Sequence, residues 1–124
     1  MTKKTTLQVA GQDIEVRIVP DLEEYGHYDH DKRIICLAER LLDDDREFFL
    51  TLRHELIHAS LSISGVAFGL TESTEEQVVR CLDGVFFPAY DNMIEQGIKW
   101  GRNEARSRSR SKADRPQPKR GRKA

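Results

Sequence analysis

The chain has 124 residues, the size of one domain with a short appended segment. Its net charge of −1 combines two opposite regions: residues 1–101 hold 10 Lys or Arg against 19 Asp or Glu (−9), and residues 102–124 hold 10 against 2 (+8). No apolar run approaches the ~20 residues of a membrane span. Cys36 and Cys81 lack CxxC spacing, which argues against a disulfide framework. We therefore expect a soluble cytoplasmic protein without a membrane partner.

The first part of the chain predicts three short strands. Residues 6–10 and 14–19 alternate apolar and polar side chains on either side of Gly11-Gln12-Asp13, which is typical of a β-hairpin. Pro20 should end the second strand. Residues 33–37 predict a third strand, and if it forms a sheet edge, its free backbone groups could hold an extended peptide.

A polar segment, residues 21–31, separates the second and third predicted strands. It carries His27, Tyr28 and His30 close together, and these side chains could contact a metal ion or a substrate. Loops of this composition are more often solvated turns, so both interpretations stay open.

The central segment predicts a long helix. Residues 43–45 offer N-cap carboxylates, and Asp44 with Glu47 has the spacing of a capping box. Gly65 stands where a helix of about twenty residues would be closed by a left-handed residue. Five apolar residues at helical spacing should face the core: Phe48, Leu52, Leu56, Ala59 and Ile63.

The same helix carries the pattern His-Glu-x-x-His at residues 54–58. His54 and His58 lie four residues apart, so both imidazoles can reach one metal ion from the same helical face. Glu55 lies about 100° round the axis, where its carboxylate could take a proton from a water on that metal. Chance occurrence of three such residues is the alternative.

A second helix is predicted from about Thr74, and it supplies a candidate third ligand. Its inward stripe should comprise Val78, Val79, Leu82, Val85 and Phe86. Glu75 falls in the centre of that stripe, and a carboxylate there is costly unless it is paired or binds a cation. Glu75 is thus favoured over Glu76, which lies about 100° away. Alternatively, both are first-turn glutamates of a helix capped by Ser73 or Thr74.

The end of the chain changes character twice. Residues 86–88, Phe-Phe-Pro, mark a break, after which Tyr90, Ile94 and Ile98 predict a third helix that closes the core. Beyond Gly101 we expect a disordered basic tail, residues 102–124, because it holds no apolar residue except alanine. Such a polycation can bind nucleic acid through its phosphates, or it can simply balance the acidic core.

From about Gly26 to Asn92, the His-Glu-x-x-His pattern followed by Glu75-Glu76 resembles small gluzincin-type metallopeptidases of phages and prophages, distant relatives of the ImmA/IrrE group. The resemblance implies that Zn²⁺ is bound by His54, His58 and Glu75 and that Glu55 is the catalytic base. It leaves the oxyanion donor open among four side chains: Tyr28, His27, His30 and Tyr90.

These observations predict an α+β fold of the minimal zincin kind. A three-stranded, mostly antiparallel sheet should pack on the metal helix and the glutamate helix, within a domain spanning residues 1–101. The expected function is a zinc-dependent endopeptidase that acts on a cytoplasmic protein of a bacterium or a phage-infected host. The alternative is a nucleic-acid-associated or assembly protein of phage type, with a structural or vestigial zinc site. A metal-free adaptor is disfavoured because it would leave Glu75 buried without a partner.

Overall fold

The computed structural model describes residues 3–97 and has an α+β architecture. Its four strands are β1 (Lys3–Val9), β2 (Gln12–Val19), β3 (Gly26–Asp29) and β4 (Ile34–Ala38), in the spatial order β1-β2-β4-β3. β1 pairs antiparallel with β2, β3 pairs antiparallel with β4, and β2 and β4 run parallel. The α+β class is confirmed, whereas the prediction of three strands missed the fourth, and one of the three pairings is parallel.

The β1–β2 hairpin turns at Ala10 and Gly11, which both have positive φ, 52° and 77°. Two left-handed residues in a two-residue loop match the right-handed twist of the flanking strands. The turn is therefore shorter than the predicted Gly11-Gln12-Asp13, and β2 already begins at Gln12. Within β2, Ile14, Val16 and Ile18 are buried at a period of two, as expected for a strand with one face on the core.

β4 lies inside the sheet, between β2 and β3, so the condition for peptide binding at residues 33–37, that this strand forms a sheet edge, is not met. Four of its five residues are buried: Ile34, Ile35, Leu37 and Ala38. A short continuous apolar run is typical of a strand covered on both faces. The two edges are β1 and β3, and the sequence had predicted a polar loop where β3 lies.

β3 lies close to the long helix, and Gly26 permits that approach. A Cβ atom at Gly26 would lie 3.0 Å from the carbonyl oxygen of Cys36 and 3.1 Å from Cγ2 of Thr51, which is on the helix. The strand has no alternating apolar pattern, and all four of its residues are half-buried. Its own side chains do not predict a strand; the segment is a strand because it pairs with β4 in the folded chain.

Three α-helices follow the sheet: α1 (Asp45–Ile63), α2 (Glu72–Cys81) and α3 (Phe87–Gln96). Short 3₁₀ helices span Glu39–Asp43 and Val66–Gly69, and a π-helical segment, Leu82–Phe86, joins α2 to α3. Among the residues described, none of the helices has the length and apolar content needed to cross a bilayer.

α1 begins and ends as its sequence predicts. The Asp44 carboxylate accepts a hydrogen bond from the backbone N–H of Glu47 at 3.1 Å, and Gly65 adopts φ 88° just beyond the last turn. The predicted apolar stripe faces the sheet, with Ala59 fully buried and the other four residues packed against the core: Phe48, Leu52, Leu56 and Ile63. This side of α1 and the inner face of β2 and β4 form the main core.

The region after α1 differs from its prediction. α2 begins at Glu72, because Thr71 is the N-cap and its hydroxyl accepts from the N–H of Thr74 at 3.1 Å. Val79 is fully buried, but Val85 and Phe86 are exposed, since the wider π-helical turn changes the direction of the side chains that follow. The predicted inward stripe is therefore wrong at its end.

The predicted third helix exists as α3, but two residues of its expected apolar stripe, Tyr90 and Ile94, are exposed. The third, Ile98, lies outside the described residues. The chain divides into two units, Met1–Pro88 and Ala89–Ala124, and the site considered below belongs to the first. The predicted domain boundary after residue 101 and the predicted basic tail also lie outside the described residues.

Candidate metal centre

A cleft of about 510 Å³ opens between β3, α1, α2 and the 3₁₀ helix Val66–Gly69. All four histidines of the chain line it: His27, His30, His54 and His58. Two come from the C-terminal half of α1, and two come from β3 and the turn that follows it. The cleft thus gathers the residues that the sequence marked as candidates for metal or substrate binding.

The two histidines of the His-Glu-x-x-His pattern point into this cleft from successive turns of α1. The ring centroids of His54 and His58 lie 5.2 Å apart. Their side chains are 31% and 16% exposed, so both are reachable from solvent while most of each ring is covered. The helical geometry predicted for the pair is therefore present.

Each of these imidazoles is oriented by a carboxylate at Nδ1. Nδ1 of His54 lies 2.8 Å from Oδ2 of Asp83, and Nδ1 of His58 lies 2.8 Å from Oε2 of Glu75. An ionised carboxylate only accepts hydrogen bonds, so Nδ1 is the donor in both pairs. In a neutral ring this leaves the lone pair on Nε2, the arrangement found where histidine binds a metal and donates its other N–H to a carboxylate.

The Nε2 side of His58 meets a third carboxylate, Glu76. Nε2 of His58 lies 3.3 Å from Oε2 of Glu76, and candidate ligand atoms of His54, His58 and Glu76 all lie within 4.8 Å of one another. Ligand atoms bound tetrahedrally to zinc at ~2.0–2.1 Å lie about 3.4 Å apart. Two acceptor atoms that face each other at this distance repel unless a proton or a cation lies between them. His54, His58 and Glu76 could therefore hold a metal ion such as zinc.

The positions of the two glutamates of α2 do not match the preference for Glu75 as third ligand that the sequence suggested. Glu75, favoured there as the third ligand, lies against Nδ1 of His58, on the side away from Nε2. Glu76, whose side chain is 45% exposed, lies on the Nε2 side. The identity of the third ligand stays a prediction, and this geometry favours Glu76 with Glu75 as the residue that orients His58.

Glu55 is the buried charged residue of the described chain, at 8% exposure, and it lines the same cleft. Burial raises the pKa of its carboxyl above the ordinary value, while the neighbouring imidazoles of His54 and His58 act in the opposite sense. A carboxylate with a raised pKa is a stronger base, which suits it to accept a proton from water.

Asp83 was not singled out from the sequence. It lies in the π-helical segment, a feature often found at functional sites. Its other oxygen, Oδ1, lies 3.7 Å from Nε of Arg53, whose guanidinium stacks over the Phe87 ring at 4.4 Å. Its spacing could have indicated that it lies on the same face as Glu76, since Asp83 follows Glu76 by seven residues, about two helical turns.

Three of the four candidate oxyanion donors line the cleft: Tyr28, His27 and His30. The Tyr28 hydroxyl is buried and has no hydrogen-bond partner within the described residues. His30 is already engaged, with Nδ1 2.6 Å from the Ser62 hydroxyl, and His27 contacts Glu24 at 3.1 Å. Tyr90 lies on α3 in the second unit. The Tyr28 hydroxyl is therefore unused, but it would have to become exposed before it could contact a substrate.

Comparisons of the chain with protein-family models, with characterised proteins and with solved structures find no significant match. The resemblance to gluzincin-type metallopeptidases thus stays a prediction carried by the motif. The functional argument depends on the geometry of the cleft and on the chemistry of the side chains that line it.

Proposed function

We propose that the chain is a zinc-dependent endopeptidase whose active site is the cleft between β3, α1 and α2. The supporting observation is that both motif histidines donate Nδ1–H to carboxylates, at 2.8 Å each, and are grouped with Glu76 within ligand distance. Side chains that merely occur at helical spacing would not be expected to have this second set of partners.

In this proposal His54, His58 and Glu76 hold the zinc ion, while Asp83 and Glu75 orient the two imidazoles. Three protein ligands leave a position open, which is typical of catalytic rather than structural zinc sites. A zinc ion bound there supplies Lewis acidity, polarising the scissile carbonyl and lowering the pKa of water toward ~7. Glu55 takes the proton from the attacking water and later donates it to the leaving amine.

The peptide substrate is proposed from the position of β3. This strand is an edge of the sheet, with β4 as its neighbour, and it lines the cleft opposite α1. An extended peptide can add to such an edge by backbone hydrogen bonds, which bind many sequences without reading their side chains. The sheet edge that was considered for residues 33–37 is instead formed on this side of the sheet by Gly26–Asp29.

A test of the proposed activity uses zinc-loaded protein and a pool of peptides of mixed sequence, with cleavage products identified by mass spectrometry. Glu55→Gln keeps the size of the side chain and one acceptor oxygen but removes the base. We expect cleavage by the wild type, a loss of about 10²–10⁴-fold in Glu55→Gln, and unchanged zinc content in that variant.

Glu39→Gln is the matched control, since Glu39 is exposed and lies in the 3₁₀ helix before α1. It should cleave at the wild-type rate. Equal rates for wild type and Glu55→Gln would contradict the assignment of Glu55 as the base. A zinc-loaded protein that cleaves nothing in the pool would favour the alternative, a structural zinc site in a nucleic-acid-associated protein.

We also infer that the basic C-terminal region contacts nucleic acid, because residues 102–124 carry a net charge of +8 beside an acidic remainder of −9. Polycations of this kind bind phosphates by releasing condensed counterions, so their affinity falls steeply with salt. A salt titration with duplex DNA and single-stranded RNA tests this, with a truncation after Gly101 as the comparison. Binding that survives the truncation, or none at low salt, would contradict the inference.

A further inference from the structure

We propose that Phe68, held by His30, forms the wall of the cleft that contacts a substrate side chain beside the scissile bond and selects an apolar one. The inference rests on the proposed peptidase function and deepens it by naming a substrate class: peptides with leucine, phenylalanine or a similar side chain next to the cleaved bond.

The first observation is the exposure of Phe68. Its side chain is 77% exposed, the highest value among the large apolar residues that the structure describes. Exposed apolar residues are common singly on protein surfaces and carry no meaning there. Phe68, however, lines the same cleft as His54, Glu55 and His58. An apolar surface left open beside the candidate metal ligands is one that a bound ligand can cover.

The second observation is that this exposed ring contacts His30, which in turn bonds to the helix that carries the candidate metal ligands. Phe68 stands edge-on to the His30 ring, with centroids 5.7 Å apart and an interplanar angle of 74°. Nδ1 of His30 lies 2.6 Å from the hydroxyl of Ser62. Ser62 follows His58 by four residues on α1, so it lies one turn, or about 6 Å, further along the same helical face.

The backbone that carries Phe68 is also well ordered by hydrogen bonds. Gly65, at φ 88°, turns the chain out of α1 and directly into the 3₁₀ helix Val66–Gly69. Its carbonyl accepts from the N–H of Phe68 at 3.2 Å, and the carbonyl of Ala67 accepts from the N–H of Leu70 at 3.1 Å. Because the backbone at Phe68 is already ordered, binding a ligand there does not require the free energy of ordering this segment.

The chemistry of the wall determines the preference. Phe68 and Ala67 offer carbon atoms to the cleft, whereas other residues that line it offer imidazoles and carboxylates. A substrate side chain that covers Phe68 gains by leaving water if it is apolar and loses hydration if it is charged. Differences of one methylene in an apolar subsite already change specificity by about 10–200-fold.

The experiment measures ligand binding rather than turnover. Two sets of peptide hydroxamates, which bind zinc directly, are titrated into the zinc-loaded full-length protein; one set carries the hydroxamate at its carboxyl end and the other at its amino end. Within each set the neighbouring residue is Gly, Leu, Phe or Glu. In at least one set, the Leu and Phe members should bind about tenfold or more tightly than the Gly and Glu members.

Phe68→Ala should remove most of that preference without changing zinc content, and Phe68→Leu should keep part of it. Phe49→Ala is the matched control, because Phe49 is also a largely exposed phenylalanine, at 64%, and it lies on α1 near its N-terminus, away from the residues that line the cleft.

Two results would overturn the inference alone: equal affinity for all four side chains in both sets, or a preference that Phe68→Ala leaves intact. Failure of every hydroxamate to bind a zinc-loaded protein would overturn the proposed peptidase site, and this inference with it. Failure to load zinc at all would have the same consequence.

Discussion

Two faces of α1 meet different parts of the molecule. One face packs on the sheet along the length of the helix, from Phe48 and Leu52 to Ala59 and Ile63. The other face places His54 and His58 in the cleft beside β3 and α2. One helix thus serves as a core element on one side and as the support of a candidate reaction centre on the other.

The apolar side of α1 stabilises the fold, whereas the cleft side lowers its stability. On the apolar side, burial of β2 and β4 side chains against α1 contributes favourably without any ligand. On the cleft side, Glu55 is buried and carboxylates contact two imidazoles. Removing these charged groups from water costs free energy, and they take positions that apolar core residues could fill. Local departures from good packing are expected where a site does chemistry.

The largest effect should come from the apolar side. Leu37 of β4 is fully buried, so Leu37→Ala should lower the free energy of unfolding by about 2–5 kcal/mol. Urea denaturation measures this, with Leu42→Ala as the control because Leu42 is 43% exposed. Below its unfolding transition, Leu37→Ala should still bind zinc. Loss of zinc from folded Leu37→Ala would mean that the two sides are not separable.

The next effect distinguishes the two glutamates of α2. Glu75→Gln should weaken zinc binding by about 10–100-fold, the usual effect of losing a partner of a ligand histidine. Glu76→Gln should weaken it more, because it removes a ligand. Competition with a chromophoric chelator measures both affinities. The reverse order would restore Glu75 as the third ligand, as the sequence alone suggested.

Asp83→Asn tests whether the π-helical segment belongs to the site. The amide cannot carry the carboxylate's charge, so the hydrogen bond from Nδ1 of His54 weakens and zinc affinity should fall by about 10–100-fold. Asp43→Asn, at an exposed position before α1, is the control and should leave zinc affinity unchanged. An unchanged affinity in Asp83→Asn would place Asp83 outside the site.

The smallest effect concerns the start of α1. Asp44→Ala removes the side chain that accepts from the N–H of Glu47, which should cost about 1 kcal/mol of stability. Asp43→Ala is the control, because the capping bond is made by Asp44, and this variant should cost less stability. Thermal unfolding compares the two variants. Because the cap lies at the end remote from the histidines, zinc affinity should not change in either.

Local signals explain why α1 could be predicted from the sequence. Its N-cap, its left-handed closing glycine and its apolar spacing all act within a few residues, and each is where the sequence placed it. The His-Glu-x-x-His geometry follows directly from that helix.

Features that depend on distant partners could not be predicted in the same way. β3 is polar and short, and it is a strand because Gly26–Asp29 finds β4 as a neighbour. The parallel pairing of β2 with β4 likewise joins segments that are separate in sequence. The choice between Glu75 and Glu76 depends on how α2 packs against α1, which places Glu75 at Nδ1 and Glu76 at Nε2 of His58. Asp83 reaches His54 across 29 residues.

Zinc titration of the purified full-length protein tests the central claim most directly. We predict one zinc ion per chain in the wild type, with a higher melting temperature when it is bound, and loss of that binding in His54→Ala and His58→Ala. His30→Ala should keep it, since His30 lies outside the ligand group. A wild type that stays empty after reconstitution, or zinc bound equally by His58→Ala, would contradict the account.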